Sequence, residues 1–221
     1  HVAVIGAYYG VAMTAAEDEN RITTGRHDKA IKGDTWWDIG RRDPTSIWFT
    51  QLAGTEIRII DHFCESYCEP SEIARMLQER REQLGYTYGS HLAPHDAGHV
   101  RQGMGNKSIQ DMFYDLGFTL DVQPVADVMP GIIRVRQLID RCVFDRVKCE
   151  KGIESLRNYH KEWNDKFKVY SDKPHHDWSS NDADAFRTGA VAYHDAHAAR
   201  IHRPRPRYQA QVERRGSPWA A

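Results

Sequence analysis

Four aspartates in this chain occupy positions where carboxylates can do chemistry. Asp38 closes the aromatic, β-branched run "GDTWWD", Asp96 follows a second short apolar run in "PHDAG", and Asp182 and Asp184 open the helical pattern of "SSNDADAFR". A carboxylate at the apolar end of a strand is costly unless a hydrogen-bond partner, a cation or a metal compensates it. Carboxylates grouped without a cation in their own motifs repel one another, and divalent metal relieves that repulsion. Oxygen-only ligation selects Mg²⁺ or Mn²⁺ over zinc. Two such ions, about 3.5–4 Å apart, can clamp the attacking and leaving oxygens of a phosphoryl transfer. Each residue also has a simpler role: Asp38 and Asp96 as turn formers, Asp182 or Asp184 as a helix cap. The order strand end, strand end, helix start is what favours the metal reading, with the third ligand either Asp182 or Asp184.

The neighbours of these acids suggest supporting roles. His95 precedes Asp96, and His175 and His176 precede the last helix, so each is placed to orient water or contact phosphate. "HHDW" hints at zinc, but the sequence offers no well-spaced partner set. Arg41 and Arg42 follow Asp38 closely, and Arg101 and Lys107 lie in "RQGMGNKS" beside Asp96; all four are candidates for holding phosphates. That glycine-rich stretch fails the G-x-x-x-x-G-K-[ST] spacing, which excludes it as an ATP-binding loop.

The elements that must position these residues read as follows. Residues 8–20 form a weak helix and 33–40 and 45–52 two strands turning at Pro44; "TEIRIIDHF" adds a third strand to the meander. "PSEIARMLQERREQLG" is an amphipathic helix with Ser71 as expected N-cap and Gly85 as stop. A strand over "YGSHLA" ends at Pro94–Asp96. "SIQDMFYDLG" is a helix capped by Ser108, "FTLDVQPV" a strand, and the chain is helical again from about Pro130. A strand over "CVFDRV", a helix over "EKGIESLRNYHKEW", a loop over "SDKPHHDWSSN" and a helix from about Asp182 complete the pattern. A meander followed by alternating helix and strand predicts an α/β fold: a mixed central sheet with helices on both faces. If the first and fourth strands are neighbours, Asp38 and Asp96 face each other.

Composition sets the outer limits. With 221 residues, 40% hydrophobic and 28% charged, the chain has enough apolar surface for one sizeable globular domain. No apolar run approaches the roughly 18 residues of a membrane span, so no membrane partner is expected. The start at "HVAVIGAYYG" suggests a fragment cut from a longer chain. Cys64, Cys68, Cys142 and Cys149 have no zinc-ribbon spacing and read as reduced thiols. Net charge is −1, but the end from Ala198 holds six arginines against one glutamate. That tail is either a disordered solvated end or an arm for phosphate or an acidic protein surface. The expected organisation is an N-terminal helix and link from a preceding domain (1–32), the α/β domain (33–198) and the arginine-rich tail (199–221).

Taken in order, "TWWDIGRRDPTSIWFTQ", "APHDAG", "GIIRVRQLIDRCVFDRVKCEKGIESLRNYHKEW" and "HHDWSSNDADAFRTGA" resemble the nuclease domain of tailed-phage large terminase subunits, from about Tyr8 to Tyr193. The resemblance implies a ribonuclease H-like fold and an endonuclease that cuts double-stranded DNA with two Mg²⁺ or Mn²⁺ ions during genome packaging. It places the acids on Asp38, Asp96 and Asp184, with Asp182 as a possible substitute. Asn181 stands where members often carry His, and Thr188 where they carry Tyr. The resemblance further implies a separate packaging ATPase domain, absent from this sequence, with portal and small terminase subunit as partners and the host cell cytoplasm as the setting. Two other readings fit the same features: a junction resolvase or transposase-like nuclease of the same fold, and a docking module for DNA or portal with weak catalysis.

Overall fold

The computed structural model describes residues 4–40, 43–100 and 106–201, and side chains as far as residue 193. In chain order the elements are α1 (Gly10–Asp18), β1 (Ile22–Thr23), β2 (Gly33–Asp38), β3 (Thr45–Ala53), β4 (Glu56–Glu65), α2 (Pro70–Leu84), β5 (Tyr88–Ala93), α3 (Ile109–Asp115), β6 (Leu120–Val122), α4 (Val128–Ile139), β7 (Cys142–Asp145), α5 (Glu150–Asn158), β8 (Lys161–Asn164), β9 (Val169–Pro174) and α6 (Ser180–Ile201). A 3-10 turn, His95–Gly98, follows β5. Among the described residues, no helix is long and apolar enough to cross a membrane.

The sheet is mixed and has the order β1-β7-β4-β3-β2-β5-β6. The meander β2–β3–β4 is antiparallel at its centre. β5 and β6 extend it in parallel on one side, β7 and β1 on the other. Side chains alternate between its faces. Trp36 and Trp48, paired in register, point into a core shared with α1, α4, α5 and α6. Trp37, Ile47 and Phe49 point the other way, into a core with α2 and α3. With both faces covered, the central strands read as nearly continuous apolar runs rather than as alternation. Fully burying one such side chain contributes on the order of 2–3 kcal/mol.

Two glycines set how closely helices lie on the meander. A Cβ at Gly189 would come within 1.8 Å of the Trp36 ring, and one at Gly152 within 2.2 Å of the Trp48 ring. Those helix positions are therefore bare backbone against indole, which brings α6 and α5 down onto β2 and β3.

Several expectations shift. The boundary expected at residue 33 falls inside this unit: β1 pairs with β7, and Tyr8, Tyr9 and Met13 are buried in the core. A two-residue strand is too short for any periodicity to reveal. α2 is capped by Glu69, through a capping box with Glu72, and not by Ser71; Pro70 is pre-organised for the first helical position, so the cap falls just before it. Ser108 caps α3 as expected. α4 starts at Val128 rather than near Pro130, since a proline is tolerated in a first turn whose N–H groups lack intrahelical partners. α5 stops at Asn158; the last residues expected to continue it belong to β8, and the first four residues of the expected loop belong to β9. All four cysteines are free thiols, with Cys142 and Cys149 packed in the core.

Candidate active site

β2 and β5 lie side by side in parallel, with Thr35 opposite His91 and Trp36 opposite Leu92. Their C-terminal ends therefore emerge together at one edge of the sheet, beside the place where strand direction changes. In open α/β sheets such crevices collect ligand sites. Asp38 is two residues beyond Trp36 and shares its face. Asp96 sits in the 3-10 turn that leaves β5. α6 covers the same face: the Phe186 ring meets Trp36 and Trp48 edge-on at 5.1 and 5.3 Å, and this brings the start of the helix to the strand ends. Asp38, Asp96 and Asp184 consequently line one open groove of about 340 Å³, together with His95, Arg187 and Thr188.

The electrostatics of the groove follow from that crowding. The Asp38 carboxyl is pushed up to about 8, first by burial, then by the charges of Asp184 and Asp96. Burial also raises the Asp184 carboxyl, against the opposing pull of Arg187, Tyr159 and His176. Arg187 pairs with Asp184 at 2.8 Å, three residues along α6, and the Tyr159 hydroxyl donates to Asp184 Oδ1 at 3.4 Å. The expectation that the acids have no cation in their own motifs is thus corrected: Arg187 belongs to the same "DAFR" run, and i,i+3 spacing on a helix sets it beside Asp184. The D-x-x-R spacing was the signal for it.

Asp182, expected as an additional or substitute ligand, is placed elsewhere. Its Oδ1 accepts from Ser46 Oγ at 2.7 Å and lies 2.8 Å from His62 Nε2, while Oδ2 accepts from Ser155 Oγ at 2.5 Å. Its backbone carbonyl accepts from Trp48 Nε1 at 2.8 Å. Burial alone would raise this carboxyl, but the bonds from His62, Ser155 and Ser46 outweigh it and hold it below the usual carboxylate range. The side chain is buried among β3, β4 and α5 and is not part of the groove lining. The three partners come from distant parts of the chain, so no local pattern announced them.

The remaining expected residues divide. His95 is exposed at the groove and its ring stands edge-on to His99 at 5.5 Å. His176 is exposed in the segment before α6, near enough for its charge to act on Asp184. Lys107 is exposed, ion-paired with Asp115 and outside the groove lining. Arg41, Arg42 and Arg101 lie outside the described residues, as does the arginine-rich end beyond residue 201.

The donor set fits a hard divalent cation. Asp38, Asp96 and Asp184 supply oxygen ligands only, burial and then the charges of Asp184 and Asp96 raise the Asp38 carboxyl, and the groove is open to solvent.

No family model and no curated protein matches the sequence. Solved structures do. The large terminase of a thermophilic bacteriophage, in complex with ADP, superposes with a TM-score of 0.62 at 15% identity, over 82% of this chain and 44% of that one. The chain therefore spans less than half the length of that protein. The P22 large terminase nuclease domain gives 0.57 at 17% identity, over 80% and 89% of the two chains. The large terminase nuclease of the thermophilic phage G20c with bound magnesium gives 0.56 at 11% identity, over 85% and 98%. In architecture, this chain has the ribonuclease H-like α/β fold of the large-terminase nuclease domains.

Proposed function

We propose that this chain is a divalent-metal-dependent endonuclease that cleaves double-stranded DNA during phage genome packaging. The observation that carries the reading is the convergence of Asp38, Asp96 and Asp184, from two strand ends and a helix start, in one groove. The magnesium bound by the similar G20c nuclease supports it. Asp38, Asp96 and Asp184 would hold two Mg²⁺ or Mn²⁺ ions. Bound there, such ions supply Lewis-acid neutralisation of the scissile phosphate and an activated water for in-line hydrolysis.

The chain's own residues prepare that chemistry. Tyr159 and Arg187 both hold Oδ1 of the Asp184 carboxylate. Arg187 also offsets part of the negative charge that would repel a DNA backbone. His95, exposed at the groove, is placed to contact a phosphate or hold a proton near it. Arg41, Arg42 and Arg101 remain candidates for gripping the duplex through its phosphates. The packaging ATPase, portal and small terminase subunit would be partners of a longer protein, consistent with this chain matching less than half of the ADP-bound phage terminase.

The test is digestion of supercoiled plasmid by the wild-type chain in Mn²⁺, Mg²⁺ or EDTA, beside a four-way junction substrate. Nicking and linearisation that need metal, without preference for the junction, are expected. Cutting confined to the junction would indicate a resolvase, and no cutting in either metal would favour a docking module.

A further inference from the structure

A second group of ligand-type side chains lies outside the groove. His160 Nδ1 or Nε2, a ring nitrogen of His175 and a carboxylate oxygen of Asp177 all fall within 4.8 Å of one another. The β8–β9 hairpin brings them together. Lys161 pairs with Pro174, so His160 and His175 flank the hairpin's open end, where the His175 N–H donates to the His160 carbonyl at 2.9 Å. The imidazole rings lie 5.1 Å apart, tilted by 35°. Asp177 follows two residues later, on the turn that leads into α6.

The surrounding hydrogen bonds leave a ligand atom available on two of the three side chains. His160 Nδ1 lies 2.7 Å from the Asn158 carbonyl. A carbonyl only accepts, so Nδ1 carries the proton and Nε2 of the neutral ring presents its lone pair. This is the backbone support that metal-bound histidines ordinarily have. Asp177 Oδ1 accepts from the Ser179 N–H and hydroxyl at 2.9 and 2.6 Å, which orients the carboxylate and leaves Oδ2 free of those bonds. His175 is exposed and can rotate. Ligands around a tetrahedral ion with bonds of about 2.1 Å are roughly 3.4 Å apart, a closure within reach of modest side-chain rotation.

We propose that His160, His175 and Asp177 form a separate site for a zinc-class divalent cation, which clamps the open end of the β8–β9 hairpin to the segment leading into α6. Two imidazoles and one carboxylate are a borderline-soft set that selects zinc-class ions over Mg²⁺ or Mn²⁺. The Asp38 groove, with oxygen ligands alone, has the opposite preference. Water fills the remaining position. The clamp holds His175 and Asp177 on either side of His176, whose charge acts on Asp184. The site stands on its own residues and does not depend on the nuclease reading.

Titration of the metal-free chain with Co²⁺, followed by visible absorption, tests it. A four-coordinate nitrogen–oxygen site gives intense bands, whereas six-coordinate oxygen ligation in the groove absorbs weakly. The wild-type chain should develop intense bands at one Co²⁺ per chain, and one equivalent of Zn²⁺ should bleach them. His160→Gln and His175→Gln should each weaken binding by more than about 10-fold, since even outer-shell changes have effects of that order. His175 is exposed, so its variant keeps the fold, which circular dichroism verifies. Asp38→Asn should leave the bands unchanged while abolishing DNA cleavage, so the two sites fail independently. Absence of intense bands, bands lost in Asp38→Asn, or unchanged affinity in both histidine variants would overturn the proposal.

Discussion

Asp182 and Asp184 are two positions apart on α6, yet their carboxylates serve different environments. Asp184 lines the groove beside Arg187, while Asp182 is buried against Ser46, His62 and Ser155. Successive helix positions diverge by about 100°, so residues i and i+2 cannot share a face. One therefore lies at the strand ends, and the other ties α6 to β3, β4 and α5.

This division predicts opposite consequences of two similar substitutions. Asp182→Ala strips three buried partners of their acceptor and should destabilise the fold by about 3 kcal/mol. Denaturant unfolding measures it. Asp184→Asn should leave the unfolding midpoint unchanged or raise it, because it removes a charge whose carboxyl the fold already holds above its usual range. An Asp182→Ala chain as stable as wild type would contradict the assignment.

The Asp38 carboxyl carries a pH signature. Its folded value of about 8 exceeds the roughly 3.9 of an unfolded aspartate, so the folded chain binds this proton more tightly. The stabilisation is complete below the unfolded value and is lost as pH rises through about 8. In EDTA, wild-type thermal stability should decline across that window, and Asp38→Asn should flatten the decline and exceed wild type at its alkaline end. Added Mg²⁺ should raise the wild-type melting temperature more at the alkaline end, where no proton competes for the carboxylate. Parallel pH profiles for wild type and Asp38→Asn would contradict this.

At Gly189 the backbone of α6 lies directly against the meander, with the Trp36 ring where a Cβ would stand. That ring is wedged edge-on against Phe186 and has little room to yield. Gly189→Ala should cost at least about 2 kcal/mol through overpacking. It should also cut activity in the surviving folded fraction, because lifting α6 displaces Asp184 from Asp38. Unfolding curves and cleavage rates on the same sample separate the two effects.

The sheet and the strand-end acids were legible because their signals are local. "GDTWWD" and "YGSHLA" are short strand patterns that stop at a turn, and the condition that the two strands be neighbours is met by the pairing of β2 with β5. The distinction between Asp182 and Asp184 was not legible, since the partners that capture Asp182 come from residues 46, 62 and 155. Helix α5 was over-extended because "YHKEW" continues a plausible helical pattern; only pairing with Val169–Pro174 makes it a strand. The same non-local pairing hid His160 from His175 and Asp177, so "HHDW" lacked its third ligand in the sequence. The short β1 became visible only through its partner β7.

The most direct test compares plasmid cleavage rates in Mn²⁺ for wild type, Asp38→Asn, Asp96→Asn, Asp184→Asn and Asp182→Asn. Loss of a group that stabilises transition-state charge costs on the order of 100-fold or more. That loss is predicted for the first three variants, while folded Asp182→Asn should keep a rate within several-fold of wild type. Cleavage that survives Asp38→Asn and Asp96→Asn, or that fails in Asp182→Asn but not in Asp184→Asn, would contradict a catalytic centre at Asp38, Asp96 and Asp184.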